Sequence, residues 1–498
     1  MHRFHFIRRC LSSLNSNSLL KNKCYINGKW VDSATGKVFP VYNPASLEKI
    51  CDVPDMTQRD VDDAISAATI SMDGWANMSC KERSRYLRRL YDNIEKYGND
   101  IAQLITAEMG KPMVESKTEV AYGGSFIEWF SEEAKRVIGD LQISPFIKDS
   151  RVLVQRHAVG VCALITPWNF PLAMATRKVG AALAAGCSVV LKPSEDTPLT
   201  ALALAELADM SEIPAGVFNV ITTSRQNVSE VSKFVCASKN VRKISFTGSS
   251  EVGKLLMSQC ASTVKRMSLE LSGNAPFIVF ESANIDDAVD GIIACKFRNA
   301  GQTCVSANRI FVHDAIYDRL SVRLAEAVSK LHVGDGFLPD TKIGPLINEK
   351  AVGKVKRHVD SSKNQGAKVL LGGDSASNLG KLFYQPTVLT NVSQDSVFAT
   401  EETFGPVAPL IRFSDESEVL KLANSTASGL AGYFYSNDAS QIFRVSERLE
   451  VGMIGVNQGS VSSEMVPFGG IKESGIGREG SVYGIDEYLE HRLVNIKL

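Results

Sequence analysis

No stretch of this 498-residue sequence approaches the roughly 18 apolar residues that a membrane-spanning helix needs. The longest apolar stretches, such as Val159 to Ile165, suit buried strands instead. Neither sign of charge is in excess. Lys and Arg number 55, and so do Asp and Glu, so no general attraction to nucleic acid or anionic lipid is expected. None of the ten cysteines belongs to a C-x-x-C pair, which argues against a zinc site and leaves no disulfide framework. No metal is expected. Acid is missing from one region altogether: residues 1–31 contain no Asp or Glu. There Arg3, Arg8, Arg9, Lys21 and Lys23 are interleaved with Ser12, Ser13, Ser16 and Ser18, and Phe4, Phe6, Ile7, Leu11 and Leu14 can share one helix face. This is the composition of a mitochondrial transit peptide, which would send the chain to the matrix. A basic tail with no address is the plainer alternative. On either reading residues 1–22 are expected to lie outside the fold.

What the sequence does contain is strand–helix alternation. Ile26-Asn27-Gly28-Lys29-Trp30 reads as a short hairpin, and residues 58–140 read as helices rich in Ala and charge. Val152 and Val154 alternate with Arg151 and Gln155, as in an exposed strand pair. Strands are expected at 159–165, 188–191, 217–221 and 243–246, with helices at 177–185, 199–210 and 251–260. That order predicts an α/β fold with a parallel sheet covered by helices on both faces. A second α/β region spans about 270–470.

Four segments can carry chemistry. Gly301-Gln302-Thr303-Cys304 would place a cysteine in an open loop, where its thiolate can attack a carbonyl carbon; taken alone, such a cysteine is more often packing. Leu269-Glu270-Leu271 puts a carboxylate between apolar neighbours, which raises its pKa and suits it to general-base work; the plainer reading is a surface glutamate. Thr166-Pro167-Trp168-Asn169-Phe170-Pro171 is a stiff turn at the carboxyl end of a strand, where Asn169 can offer an amide N–H to an oxyanion and Trp168 can anchor packing. Phe246-Thr247-Gly248-Ser249 joins a strand to a helix whose N-terminus can hold a pyrophosphate. A G-x-G-x-x-G pattern occurs at 475–480. Too little chain follows it for a βαβ unit, so it is read as a turn that shapes the substrate region.

Taken together, these segments resemble the aldehyde dehydrogenase superfamily, with Leu-Lys-Pro-Ser-Glu at 191–195, Glu-Glu-Thr-Phe-Gly-Pro at 401–406 and Pro-Phe-Gly-Gly-Ile-Lys-Glu-Ser-Gly at 467–475 in the family's order. The resemblance covers nearly all of residues 25–498. It implies that Cys304 is the nucleophile, Glu270 the general base, and Asn169, with the backbone N–H of Cys304, the oxyanion site. It implies a cofactor set of Trp168, Lys192, Ser194, Glu195, Gly248, Ser249, Gly253, Glu402 and Phe404 for NAD, with NADP possible. It further implies a Rossmann-like cofactor domain over 23–140 and 159–269, a catalytic domain over 270–470, and a β arm over 141–158 and 485–498 that makes a homotetramer or homodimer.

Within the superfamily, the segments at 128–137, 175–187 and 296–304 are similar to the succinate-semialdehyde dehydrogenases, the branch that feeds GABA degradation. Arg177 and Arg298 would clamp the far carboxylate of a small semialdehyde, with Ser462 or Ser463 adding a hydroxyl. Structural ion pairing is the alternative for both arginines. Glutarate or methylmalonate semialdehyde remains an alternative substrate. Several members of this branch carry a second cysteine two residues after the nucleophile; here the segment reads Cys304-Val305-Ser306.

Overall fold

The computed structural model describes residues 17–498. Its first layer is an eight-stranded sheet in the order Lys29–Val31, Cys24–Ile26, Phe218–Val220, Val189–Lys192, Val161–Ile165, Val241–Thr247, Arg266–Glu270 and Gly475–Ile476. The five strands from Phe218–Val220 to Arg266–Glu270 run parallel, and the outer ones are antiparallel additions. Val161, Cys162, Ala163 and Leu164 are all buried, as expected of a strand covered on both faces. The helices Gln58–Ala76 and Ala173–Ala185 pack on this sheet, and the latter is buried along its whole length.

The chain leaves this sheet at Glu270 and enters a seven-stranded sheet. Its order is Lys368–Leu371, Thr387–Thr390, Val407–Phe413, Ala307–His313, Ala275–Val279, Ala431–Tyr435 and Met453–Val456. All its pairs are parallel except the first. A three-stranded antiparallel sheet stands apart, with Ser150–Ala158 flanked by Asp140–Ile143 and Leu489–Lys497. Leu141, Ile143 and Leu493 are exposed on it. Among the described residues, no helix is long and apolar enough to cross a membrane.

One expectation fails here. Residues 17–22 belong to the fold: Leu19 is wholly buried, Asn17 Nδ2 donates to the Asp100 carbonyl at 2.9 Å, and Lys21 pairs with Glu206 at 3.0 Å. Burial of the Leu19 side chain and a satisfied polar neighbourhood hold a segment whose composition matched the leader before it. The rest of that leader, residues 1–16, lies outside the described residues.

Candidate active site

Four strands of the first sheet end side by side, and their carboxyl ends deliver the site. Ile165 leads into the Thr166–Pro171 turn, Lys192 ends its strand, Thr247 leads to Gly248 and Ser249, and Glu270 ends the last of the parallel strands. This is where open α/β sheets place their ligands.

Cys304 reaches the same place from the side of the seven-stranded sheet, three residues before its strand Ala307–His313. The helix before it widens to a π turn at Ile293–Phe297, and Asn299, Ala300 and Gly301 then all take left-handed backbone angles, with φ of 53°, 53° and 75°. Two of these are not glycine, at a cost of about 1–3 kcal/mol each. A Cβ on Gly301 would collide with the Gly405 carbonyl oxygen, so only glycine fits. The strained loop is held by many bonds. Asn299 N donates to the Glu115 carboxylate at 3.0 and 3.1 Å, and its side chain to the Asn169 and Gln302 carbonyls at 3.0 and 3.1 Å. Gln302 bonds back to Asn299 and to Pro345 and Ile347. Asn169 Nδ2 donates to the Gln302 carbonyl at 3.1 Å, tying the turn to the loop, and Asn169 Oδ1 is buried without a partner.

Glu270 is 2% exposed, with Oε2 accepting from Arg177 Nη2 at 2.9 Å and Oε1 unpartnered. Burial pushes its pKa up; the Arg177 guanidinium opposes this, and the Glu479 charge adds to it. Burial also raises the Cys304 thiol, and the Glu270 carboxylate beside it raises it further while Arg177 opposes. The thiol is therefore protonated near neutral pH, next to a carboxylate of raised affinity for a proton.

Cys304 lies in the wall between two cavities. One, of about 660 Å³, is lined by Trp168, Asn169, Lys192, Ser194, Glu195, Gly248, Ser249, Glu402 and Phe404. Trp168 and Phe404 meet edge to face with ring centroids 5.5 Å apart. Ser249 caps the helix Ser250–Cys260, accepting from Val252 N at 3.3 Å, so that helix's N-terminus faces the cavity. Glu195 lies 3.8 Å from Lys192 and 3.7 Å from Arg225. Burial lifts Glu402 to about 7; its Oε1 accepts from Gly273 N at 3.3 Å. An anion-binding helix end, a ribose-sized polar corner and an aromatic wall fit a dinucleotide. Gly253 is not in the lining: a Cβ there would strike the Leu271 side chain, so it is a packing residue beneath the site.

The other cavity, of about 550 Å³, is lined by Arg177, Arg298, Ser462, Phe170, Phe468 and Tyr122 among others; Ser463 is not in its wall. Arg177 is 1% exposed, stacks 4.1 Å over the Phe468 ring, and is ion-paired to both Glu270 and Glu479, with Nη1 left unpartnered. Arg298 sits 5.6 Å over the Phe170 ring with Nε buried and unpartnered. Two guanidiniums thus keep free N–H groups in a largely apolar chamber. Glu479 also pairs with Lys178. Neither Glu479 nor Tyr122 stood out in the sequence, although Glu479 falls inside the glycine-rich segment read as a turn.

The sequence profile of the aldehyde dehydrogenase family matches residues 30–494. A succinate-semialdehyde dehydrogenase (NADP(+)) of Escherichia coli strain K12 is 51% identical over 485 residues, covering 97% of this chain and 100% of that protein. The mitochondrial succinate-semialdehyde dehydrogenase of Hylobates lar is 53% identical, over 96% of this chain and 89% of its own. Among solved structures, the succinate-semialdehyde dehydrogenase from Burkholderia pseudomallei superposes with a TM-score of 0.95 at 49% identity, over 97% of this chain and 99% of that one.

Proposed function

Because the chain belongs to the aldehyde dehydrogenase family, we propose that it oxidises succinate semialdehyde to succinate with NAD(P)+ as acceptor. The observation that carries this is the position of Cys304, between a chamber ended by Arg177 and Arg298 and a cavity fitted for a dinucleotide. The Cys304 thiol gives its proton to Glu270, and the sulfur adds to the aldehyde carbon. The Asn169 amide and the Cys304 backbone N–H take the developing oxyanion. Lys192, Glu195, Ser249, Glu402 and Phe404 would hold the dinucleotide, which would supply the hydride acceptor for the adduct and so leave an acyl group on Cys304. Glu270 loses the thiol's proton to solvent and, ionised again, draws a proton from water, whose oxygen attacks the thioester carbon; the C–S bond breaks and the acid departs. Arg177, Arg298 and Ser462 recognise the distal carboxylate.

Two further readings complete the proposal. The three-stranded sheet, with Leu141, Ile143 and Leu493 exposed, is the arm of a homotetramer or homodimer. The acid-free leader, now confined to residues 1–16, addresses the chain to mitochondria; the close mitochondrial relatives support this. A reporter carrying residues 1–16 that stayed in the cytosol would refute the address. For the activity, the test is a panel of aldehydes with and without a terminal carboxylate, assayed with NAD and NADP separately. Highest kcat/KM for the four-carbon semialdehyde is expected. Equal values for the five-carbon homologue, or for butanal, would overturn the assignment.

A further inference from the structure

Behind the oxyanion turn, outside both cavities' catalytic groups, lies a fully buried ion pair. Lys111 follows the helix Gly98–Met109, and its side chain and that of Glu119 are both wholly inaccessible. Lys111 Nζ donates to Glu119 Oε2 at 2.6 Å and to the Asn169 carbonyl oxygen at 2.7 Å. Glu119 Oε1 in turn accepts from Leu172 N at 2.9 Å and Ala173 N at 3.3 Å, the first turn of the Ala173–Ala185 helix, which has no side-chain cap of its own. Nζ also sits 3.8 Å from the centroid of the Phe170 ring, whose ring Arg298 also faces. One ammonium thus touches the carbonyl of Asn169, the ring of Phe170 and, through Glu119, the start of the helix that carries Arg177.

A buried ion pair is costly unless its remaining valences are used, and apolar replacements of such pairs are often as stable. Stability alone is therefore a weak reason for Lys111 to be charged here. What its charge does supply is a strong second donor, beside Asn299 Nδ2, that holds the rotation of the Asn169 peptide. That rotation sets where the Asn169 side-chain amide points, and an oxyanion donor displaced by about 1 Å loses much of its effect.

We propose that Lys111 is a positioning residue for acyl transfer, holding Asn169 in its oxyanion-binding pose from outside the substrate chamber. The inference rests on the proposed role of Asn169 and Cys304. It is tested by assaying both aldehyde oxidation with NAD and cofactor-free hydrolysis of 4-nitrophenyl acetate, since each passes through an oxyanion at Cys304. Lys111→Met should lower kcat in both assays by roughly 10- to 100-fold, to the same extent for succinate semialdehyde and butanal, with KM and NAD affinity little changed. Lys111→Arg, which keeps the cation, should recover part of the loss. In an Asn169→Ala background the same Lys111→Met change should cost less than about three-fold, because it acts through Asn169. Should the methionine variant not fold, Lys111→Gln makes the same measurement with volume preserved. Full additivity with Asn169→Ala, or an unchanged kcat in both assays, overturns the proposal. A wild-type protein that hydrolyses the ester but makes no NADH overturns the aldehyde reading instead, and leaves the ester assay to decide on Lys111.

Discussion

Arg177 holds two buried carboxylates at once: its Nη2 donates to Glu270 Oε2 at 2.9 Å, and its Nε is bonded to Glu479. The residue expected to bind substrate is therefore also a partner of the expected base, and the two clamp arginines differ in kind. Arg298 has no such ion pair among the described residues; it faces the Phe170 ring with its Nε unpartnered, and the buried Glu115 carboxylate feels its charge.

Arg298→Ala should therefore be the selective variant. Loss of one guanidinium from a buried carboxylate contact costs about 2–5 kcal/mol, so kcat/KM for succinate semialdehyde should fall by at least about 30-fold while butanal is barely affected. Arg177→Ala should harm both aldehydes and also lower the melting temperature, since it strands Glu270 and Glu479 without their partner. Specificity constants and thermal melts of the two variants decide this. A selective, fully stable Arg177→Ala would show that the pairing matters less than the clamp.

The raised affinity of Glu270 for its proton predicts the acid limb of the rate profile. Only the ionised carboxylate can act as base, so kcat should rise with pH through a midpoint above the usual glutamate value. Glu270→Gln should slow the first turnover of NADH as well as steady turnover, because both the thiol and the deacylating water give up their protons to Glu270. Stopped-flow bursts at several pH values measure both. A Gln variant that retained the same acid limb would assign the limb to another group.

Glu402 predicts a pH-dependent stability. Its proton is held more tightly in the folded chain, where its pKa is about 7, than in the unfolded chain. The stabilisation from that group is complete below about pH 4.5 and is lost as pH rises through about 7. Glu402→Gln should thus be no more stable than wild type near pH 5 but gain up to about 3 kcal/mol by pH 8. Denaturant unfolding at the two pH values tests the sign, and an equal difference at both would refute it.

The cofactor corner predicts a shift in preference. The Glu195 carboxylate would repel a ribose 2′-phosphate at close range, although Lys192 and Arg225 stand near enough to temper it. Wild type should favour NAD, and Glu195→Ala should raise the NADP-to-NAD ratio of kcat/KM by about ten-fold. An unchanged ratio would place the discrimination elsewhere.

Much of this site was legible locally. The helix Leu199–Met210 has the boundaries its sequence predicts, and the turn at 166–171 and the strand before it follow from proline and unbroken apolar residues. What could not be read depends on partners far along the chain. The helix predicted from Arg177 begins at Ala173, because its cap is Glu119, on another helix. The pairing of Arg177 with Glu479 joins residues 302 positions apart. Gly253, which the family resemblance puts in the cofactor set, lies outside the cavity wall and gives clearance to Leu271. The left-handed run at Asn299, Ala300 and Gly301 is hidden at its centre: Asn and Gly often adopt that conformation, but alanine rarely does.

The meshing of Gly301 with the Gly405 carbonyl has a consequence for order of binding. With no clearance for even a methyl group between them, the loop bearing Cys304 cannot move toward the loop bearing Glu402 and Phe404 without displacing it. A dinucleotide that settled against Phe404 would then push on the nucleophile's backbone, and linkage demands that the push be mutual: a group attached at Cys304 would alter the affinity for the dinucleotide by the same factor that the dinucleotide alters the affinity at Cys304. Titrating NAD into protein with and without a reversible thiohemiacetal at Cys304 would read that factor directly, and a value of one would mean that the two loops, though in contact, do not talk.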